Sequence, residues 1–189
     1  MASVEGLAMI QTGVLPSLSE QQLIDCARDN PNTRGCDGGN QDDGFKYIIK
    51  NGGITAETNY PYQAADGTCD TDRASQHAAK IGGLVNLPPN DESALLNAVA
   101  QQPVSAFVDS SGKEFQFYSS GVFTGDCGTS LNHVVAIVGY GSADGVDYWL
   151  VKNSWGTGWG EDGYMRIQRN SGSAEGRCGI AMYTSYPTA

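Results

Sequence analysis

Val134-Val135-Ala136-Ile137-Val138 is the stretch that most limits how this chain can fold. An unbroken apolar run rich in β-branched residues reads as a strand buried on both faces, so it needs sheet neighbours and covering layers. Candidate neighbours are Val104 to Val108, Val146 to Val151 and Tyr164 to Ile167. Gly-rich turns and loops separate them rather than helical patterns, which predicts an antiparallel sheet. The first half has the other periodicity. Val4, Leu7, Ala8 and Ile10 give an apolar helical spacing that ends at Gly13. Ser17-Leu18-Ser19-Glu20 reads as a capping box, with Leu23 and Ile24 on one face behind it. Phe45, Ile48 and Ile49 form a stripe stopped by Gly52-Gly53. Turn residues dominate from Ile54 to about Asp72, and Pro88-Pro89-Asn90-Asp91 opens a helix carrying Leu95, Leu96 and Val99. The expectation is an α+β chain, with a helical lobe over 1–85 and a β lobe over 86–189.

Charge and cysteine usage narrow the function. Against 11 Lys and Arg stand 21 Asp and Glu, a net charge of −10, which argues against nucleic acid or an anionic membrane as partner. No apolar run reaches the length of a membrane span. Two histidines and the absence of a Cys-x-x-Cys spacing argue against a metal site, and no cofactor motif is present. The five cysteines are Cys26, Cys36, Cys69, Cys127 and Cys178, several of them in polar, Gly-rich loops. That context predicts disulfides and an oxidising compartment, and the odd count leaves at least one without a partner in the chain. The first helix starts at Met1 with no capping residue before it, as if the sequence were cut.

His133 stands at the mouth of the buried run, either as a packed residue or as a working base. Asn153 follows a strand and precedes Trp155 and Trp159 in Lys152-Asn153-Ser154-Trp155-Gly156-Thr157-Gly158-Trp159-Gly160. An asparagine carbonyl can accept from one imidazole nitrogen and aim the other at a nucleophile, and a tryptophan can shield that bond. Asp42, Asp43 and Asp66 read as a solvated face, His77 as surface in a polar loop. The Gly-rich run after Trp155 lacks the ending of a phosphate loop.

Five segments, in order, resemble the papain-like cysteine peptidases, the plant members above all. They are Ser19-Glu20-Gln21-Gln22-Leu23-Ile24-Asp25-Cys26, Gly35-Cys36-Asp37-Gly38-Gly39, Asn59-Tyr60-Pro61-Tyr62, Asn132-His133-Val134-Val135 and Lys152-Asn153-Ser154-Trp155-Gly156. The resemblance covers essentially the whole chain and implies a two-lobe papain-like fold, its second lobe an antiparallel β-barrel-like one. It implies a Cys-His-Asn endopeptidase acting on extended peptides, with His133 and Asn153 catalytic and Trp155 supporting them. It places Gly38 and Gly39 at the backbone edge that pairs with substrate, and Asn40, Gln41, Phe107, Leu131 and Asn132 around the specificity pocket. It pairs Cys26 with Cys69 and Cys127 with Cys178, leaving Cys36 a free thiol.

The family's nucleophile lies about 130–150 residues before the histidine. Counting back from His133 reaches Ser3 or earlier, and no cysteine precedes Cys26. The expectation is therefore a chain truncated at its N-terminus, without the nucleophile segment and without peptidase activity. The alternative is a non-catalytic remnant that binds peptides or cystatin-type inhibitors, or a structural protein. Cys36 as substitute nucleophile, or in an intermolecular disulfide, is the third reading. Self-association through the truncated face, and a secretory, vacuolar, lysosomal or extracellular setting, complete the expectations.

Overall fold

The computed structural model describes residues 1–29 and 32–189. It divides into two compact units, Met1–Val85 with Pro187–Ala189, and Asn86–Tyr186.

In the first unit, helix α1 (Ala2–Thr12) buries Ser3, Val4 and Leu7 and ends at Gly13, whose left-handed φ of 76° closes the last turn onto Met9 O. Ile10 is not on the buried face as expected; it is 57% exposed. Six residues from Val4 is well off a face of 3.6-residue period. Helix α2 (Glu20–Cys26) starts two residues later than a cap at Ser17 requires. The cap is Ser19, whose hydroxyl accepts from Gln22 N at 3.0 Å, because Ser17 and Leu18 run extended beside residues 56 and 57. Leu23 and Ile24 are only half-buried; the buried residues of α2 are Gln21, Gln22 and Asp25. Their polar groups are satisfied by the turn-rich segment after residue 54. Gln22 Oε1 accepts from Thr55 N (2.8 Å) and its Nε2 donates to Tyr47 Oη (3.0 Å). Gln21 Oε1 accepts from Gln63 N (2.8 Å), and Asp25 accepts from Gly67 N (2.7 Å) and Tyr60 Oη (2.8 Å). The Cys26–Cys69 disulfide ties the same two segments.

A single 3₁₀ turn, Gly35–Asp37, precedes helix α3 (Gln41–Asn51). Asn40 caps α3 by accepting from Asp42 N at 2.8 Å, and Gly52 ends it. Asp42 and Asp43 are not solvated, being 4% and 6% exposed in the helix's first turn, where the N-terminal dipole favours carboxylates. Strand β1 (Ile54–Thr55), helix α4 (Thr71–Ala74) and strand β2 (His77–Ala79) follow, β1 and β2 pairing antiparallel. His77 thus lies in a strand and not in a loop, half-buried, with its Nε2 3.3 Å from Asn51 Nδ2. Val4, Leu7, Leu18, Phe45, Ile48, Ile54 and Ile81 make the apolar core of this unit. Strand β3 (Gly83–Asn86) leads out of it.

The second unit opens with helix α5 (Glu92–Val99), capped by Asp91, which accepts from Ala94 N at 2.8 Å. Then come β4 (Val104–Val108), α6 (Lys113–Gln116), β5 (Val122–Phe123), β6 (His133–Ala143), β7 (Val146–Lys152), β8 (Tyr164–Gln168) and β9 (Thr184–Thr188). The sheet order is β3-β9-β4-β6-β7-β8-β5. The fold is α+β as expected, and its sheet is open, with no closed barrel. Nor is it wholly antiparallel: β5 pairs with β8 in parallel. A two-residue strand at the sheet edge offers too few backbone groups to close a ladder. Val104, Val108, Phe115, Ile137, Trp149, Met165, Ile167 and Ile180 form the core. Trp149 Nε1 donates to Glu92 Oε1 at 2.9 Å, and Cys127–Cys178 links two loops.

The buried amide of Gln22 is tested by Gln22→Leu, which keeps the volume and strands Thr55 N. Unfolding free energy from urea titration should fall by about 1–3 kcal/mol. The control Gln11→Leu, on the exposed side of α1, should stay within about 0.5 kcal/mol of the parent.

Candidate active site

His133 opens β6 and is the cross-strand partner of Val108 at the end of β4. Strand β7 runs antiparallel to β6 with Ala136 opposite Lys152. Continuing that register to the end of β6 brings the residues just after β7 beside His133, which is where Asn153 and Trp155 stand. The contact follows. His133 Nε2 lies 2.7 Å from Asn153 Oδ1. The same oxygen accepts from Ser154 N at 2.7 Å, so an acceptor is required there and the amide orientation is fixed. Nε2 is therefore the donor, and the lone pair of the neutral ring is on Nδ1. No hydrogen bond occupies Nδ1 among the described residues. Asn153 is held in turn by its own N–H, which donates to Gly163 O at 3.0 Å.

The surroundings are aromatic. Trp155 stacks on the His133 ring with centroids 5.0 Å apart and planes 27° apart. Phe115 and Trp159 meet Trp155 edge-on at 5.7 and 5.2 Å. Trp159 Nε1 donates to Gln116 O (2.9 Å), which fixes that ring. Asn153 is 6% exposed beneath this group, and its Nδ2 is buried with no partner among the described residues. Trp159 belongs to the sequence motif that follows Asn153, whereas Phe115 joins the group only because the fold brings α6 to the loop after β7.

The remaining candidates divide between the units. In the second, Phe107 is half-buried and stacks on Tyr183 at 5.4 Å, and Leu131 is half-buried beside Gly179. Asn132 is turned onto the end of β4, its Oδ1 accepting from Ser110 N (3.0 Å) and Oγ (2.9 Å). In the first unit, Gly38 and Gly39 are exposed after the 3₁₀ turn. Gly38 has φ 100° and ψ −179°, a conformation open essentially to glycine alone. Its N–H and C=O are both used, on Gly35 O and Arg34 N, whereas Gly39 takes no backbone partner among the described residues. Asn40 is the cap of α3 and Gln41 its first residue.

Four of the five cysteines are in disulfides, Cys26–Cys69 (2.03 Å) and Cys127–Cys178 (2.08 Å). Cys36 is the free one, exposed in the 3₁₀ turn. Local desolvation, reinforced by the hydrogen bond and negative charge of Asp66, pushes its thiol pKa up. That is the opposite of what an activated nucleophile needs. Among the described residues no group of three His, Cys, Asp or Glu is placed to hold a metal.

Residues 1–188 match the papain family of cysteine proteases. The chain is 56% identical over 188 residues to vignain of Vigna mungo, covering 99% of this chain and 51% of the relative. It is 57% identical over 189 residues to cysteine endopeptidase RepA of Oryza sativa subsp. japonica, covering 50% of that protein. It therefore spans about half the length of these curated relatives. Among solved structures, the bromelain protease from Ananas comosus in complex with the E64 inhibitor superposes with a TM-score of 0.93 at 47% identity, over 99% of this chain and 85% of that one.

If Trp155 shields the His133–Asn153 bond, Trp155→Ala should move the His133 ring protons downfield, as the stacked ring current is lost. It should also speed solvent exchange of the Nε2 proton, both read by NMR. Stability should fall by about 0.5–1.5 kcal/mol for each aromatic pair removed.

Proposed function

Because the chain belongs to the papain family of cysteine proteases, we propose that its 189 residues carry the acid–base half of a cysteine-type endopeptidase site for extended peptides. The observation that carries this reading is the His133–Asn153 bond of 2.7 Å under Trp155. In this reading Nδ1 of His133 takes the proton of a cysteine thiol, and the thiolate attacks the scissile carbonyl. The imidazolium then returns the proton to the leaving amine, and water, deprotonated by the same nitrogen, releases the acyl group. Asn153 keeps the ring in one orientation throughout, because its Oδ1 accepts from Nε2–H whether the ring is neutral or charged. The unpartnered backbone of Gly39 is suited to pair with an extended substrate strand. On the second unit Phe107, Leu131 and Asn132, and on the first unit Asn40 and Gln41, are the residues this reading gives to substrate binding. Residues 1–85 and 86–189 would be the two lobes of one peptidase domain. The two disulfides support an oxidising, secretory compartment, and in this reading the parent protein is vacuolar, lysosomal or extracellular.

In this reading none of the chain's cysteines is the nucleophile: four are paired, and the raised pKa of Cys36 disfavours its thiolate. We expect the 189-residue chain by itself to show no turnover of a fluorogenic peptide under reducing conditions. Turnover that survives repurification and disappears on Cys36→Ser would make Cys36 the nucleophile and overturn that expectation.

The second reading, a non-catalytic binder of peptides or inhibitors, is favoured by a peptide-pairing edge at Gly39 without an accompanying nucleophile. Titration calorimetry with a cystatin-type inhibitor checks it. The binder reading expects saturable heat, and a flat isotherm at high concentration of both proteins would remove it.

A further inference from the structure

The end of β4 and the approach to β6 are joined by one buried carboxylate. Asp109 is 3% exposed and has no cationic partner among the described residues. Four hydrogen bonds stand in for one. Its Oδ1 accepts from Ser111 N (3.0 Å), Ser111 Oγ (2.5 Å) and Asn132 Nδ2 (3.2 Å), and its Oδ2 accepts from Ser130 N (3.0 Å). The Ser111 hydroxyl foremost, with the Ser111 and Ser130 amides and Asn132, holds the carboxyl below the usual range. Asn132 completes the link by accepting from Ser110 N and Oγ. Gly128 leaves room for the group, since a Cβ there would stand 2.4 Å from Asp109 Oδ2.

The ladder between β4 and β6 ends at the Val108–His133 pair. Upstream of His133 the chain is fixed by Asn132 N on Val108 O and by the Asp109 hydrogen bonds to residues 130 and 132. We propose that Asp109 is a positioning residue for His133: through Asn132 and Ser130 it sets the backbone from which the imidazole reaches Asn153. This rests on the reading of His133 as the base, but it concerns ring geometry and can fail separately from turnover. Nothing in the sequence marks it, because Asp109-Ser110-Ser111-Gly112 has the composition of an ordinary turn.

The test is Asp109→Asn. A carboxamide cannot offer two acceptor oxygens, so its NH₂ must face Ser130 N or the three donors on the other side. The readout is the long-range ¹H–¹⁵N spectrum of His133 in the 189-residue chain, at a pH where the ring is neutral. The parent should show a single Nε2–H tautomer with a protected proton. In Asp109→Asn the Nδ1–H tautomer should appear and exchange of the Nε2 proton should quicken roughly ten-fold as the bond to Asn153 opens. Gly128→Ala should shift the spectrum the same way, and it serves as the second variant should Asp109→Asn fail to fold. Val99→Ala, which weakens the same core without touching these hydrogen bonds, should leave the tautomer unchanged. An unchanged tautomer and exchange rate in folded Gly128→Ala or Asp109→Asn overturns the proposal, as does an equal change in Val99→Ala. Turnover plays no part in the readout.

Discussion

The candidate site depends on the antiparallel pairing of β6 with β7, and within it on one irregularity. From the hairpin turn at Asp144 and Gly145, the pairs run Ala143–Val146 through Gly139–Leu150 in one register. Between Gly139 and Ile137 the register shifts by a residue, so that Ile137 meets Val151 and Ala136 meets Lys152. Because side chains alternate along a strand, a one-residue slip turns every later side chain to the other face. Had the turn's register continued unbroken, the residues after Lys152 would reach His133 one position out of step. The Asn153 side chain would then fall on the other face of the strand pair, away from His133. The bulge at Val138 therefore joins a tight hairpin at one end of the strand pair to a correctly aimed imidazole at the other.

The two units fill their interiors differently, and that decided how well each could be read. In the second, apolar side chains recur on strands of five or more residues, so β4, β7 and β8 are legible almost to their ends, while β6 continues past its apolar run to Ala143. The strands that escaped notice, β1, β2, β3, β5 and β9, are short or polar, and β9 carries Pro187. Their pairing partners supply the signal, not their own pattern. In the first unit the inner face of α2 is polar. Gln21, Gln22 and Asp25 take the hydrogen bonds of a turn-rich segment that has few strand partners of its own. Hydrophobic periodicity pointed to Leu23 and Ile24 and missed this, because a buried glutamine and a surface glutamine look alike until its partners are known.

The site divides along the same line. The His133–Asn153 contact under Trp155 is legible because these residue types fall in two short motifs. Phe115 and the proposed Asp109 are not, because each meets its partner only through the fold: α6 against the loop after β7, and the end of β4 against the entrance to β6. Aspartates also show that type alone misleads. Asp42 and Asp43 looked like a solvated face and are instead buried in the first turn of α3.

The unpartnered Nδ2 of Asn153 bears on why an amide stands there at all. A buried donor without a partner costs about 1–3 kcal/mol, and such groups are uncommon in native structures. An aspartate would satisfy both donors that Oδ1 now receives, Nε2–H of His133 and Ser154 N, without stranding a donor. It would also add a negative charge beside the imidazole. In the proposed chemistry His133 and a thiolate form an ion pair of no net charge, and an extra anion beside it would favour the protonated ring. The neutral amide orients the imidazole without that bias, so its lost hydrogen bond is consistent with a site arranged for proton transfer ahead of stability.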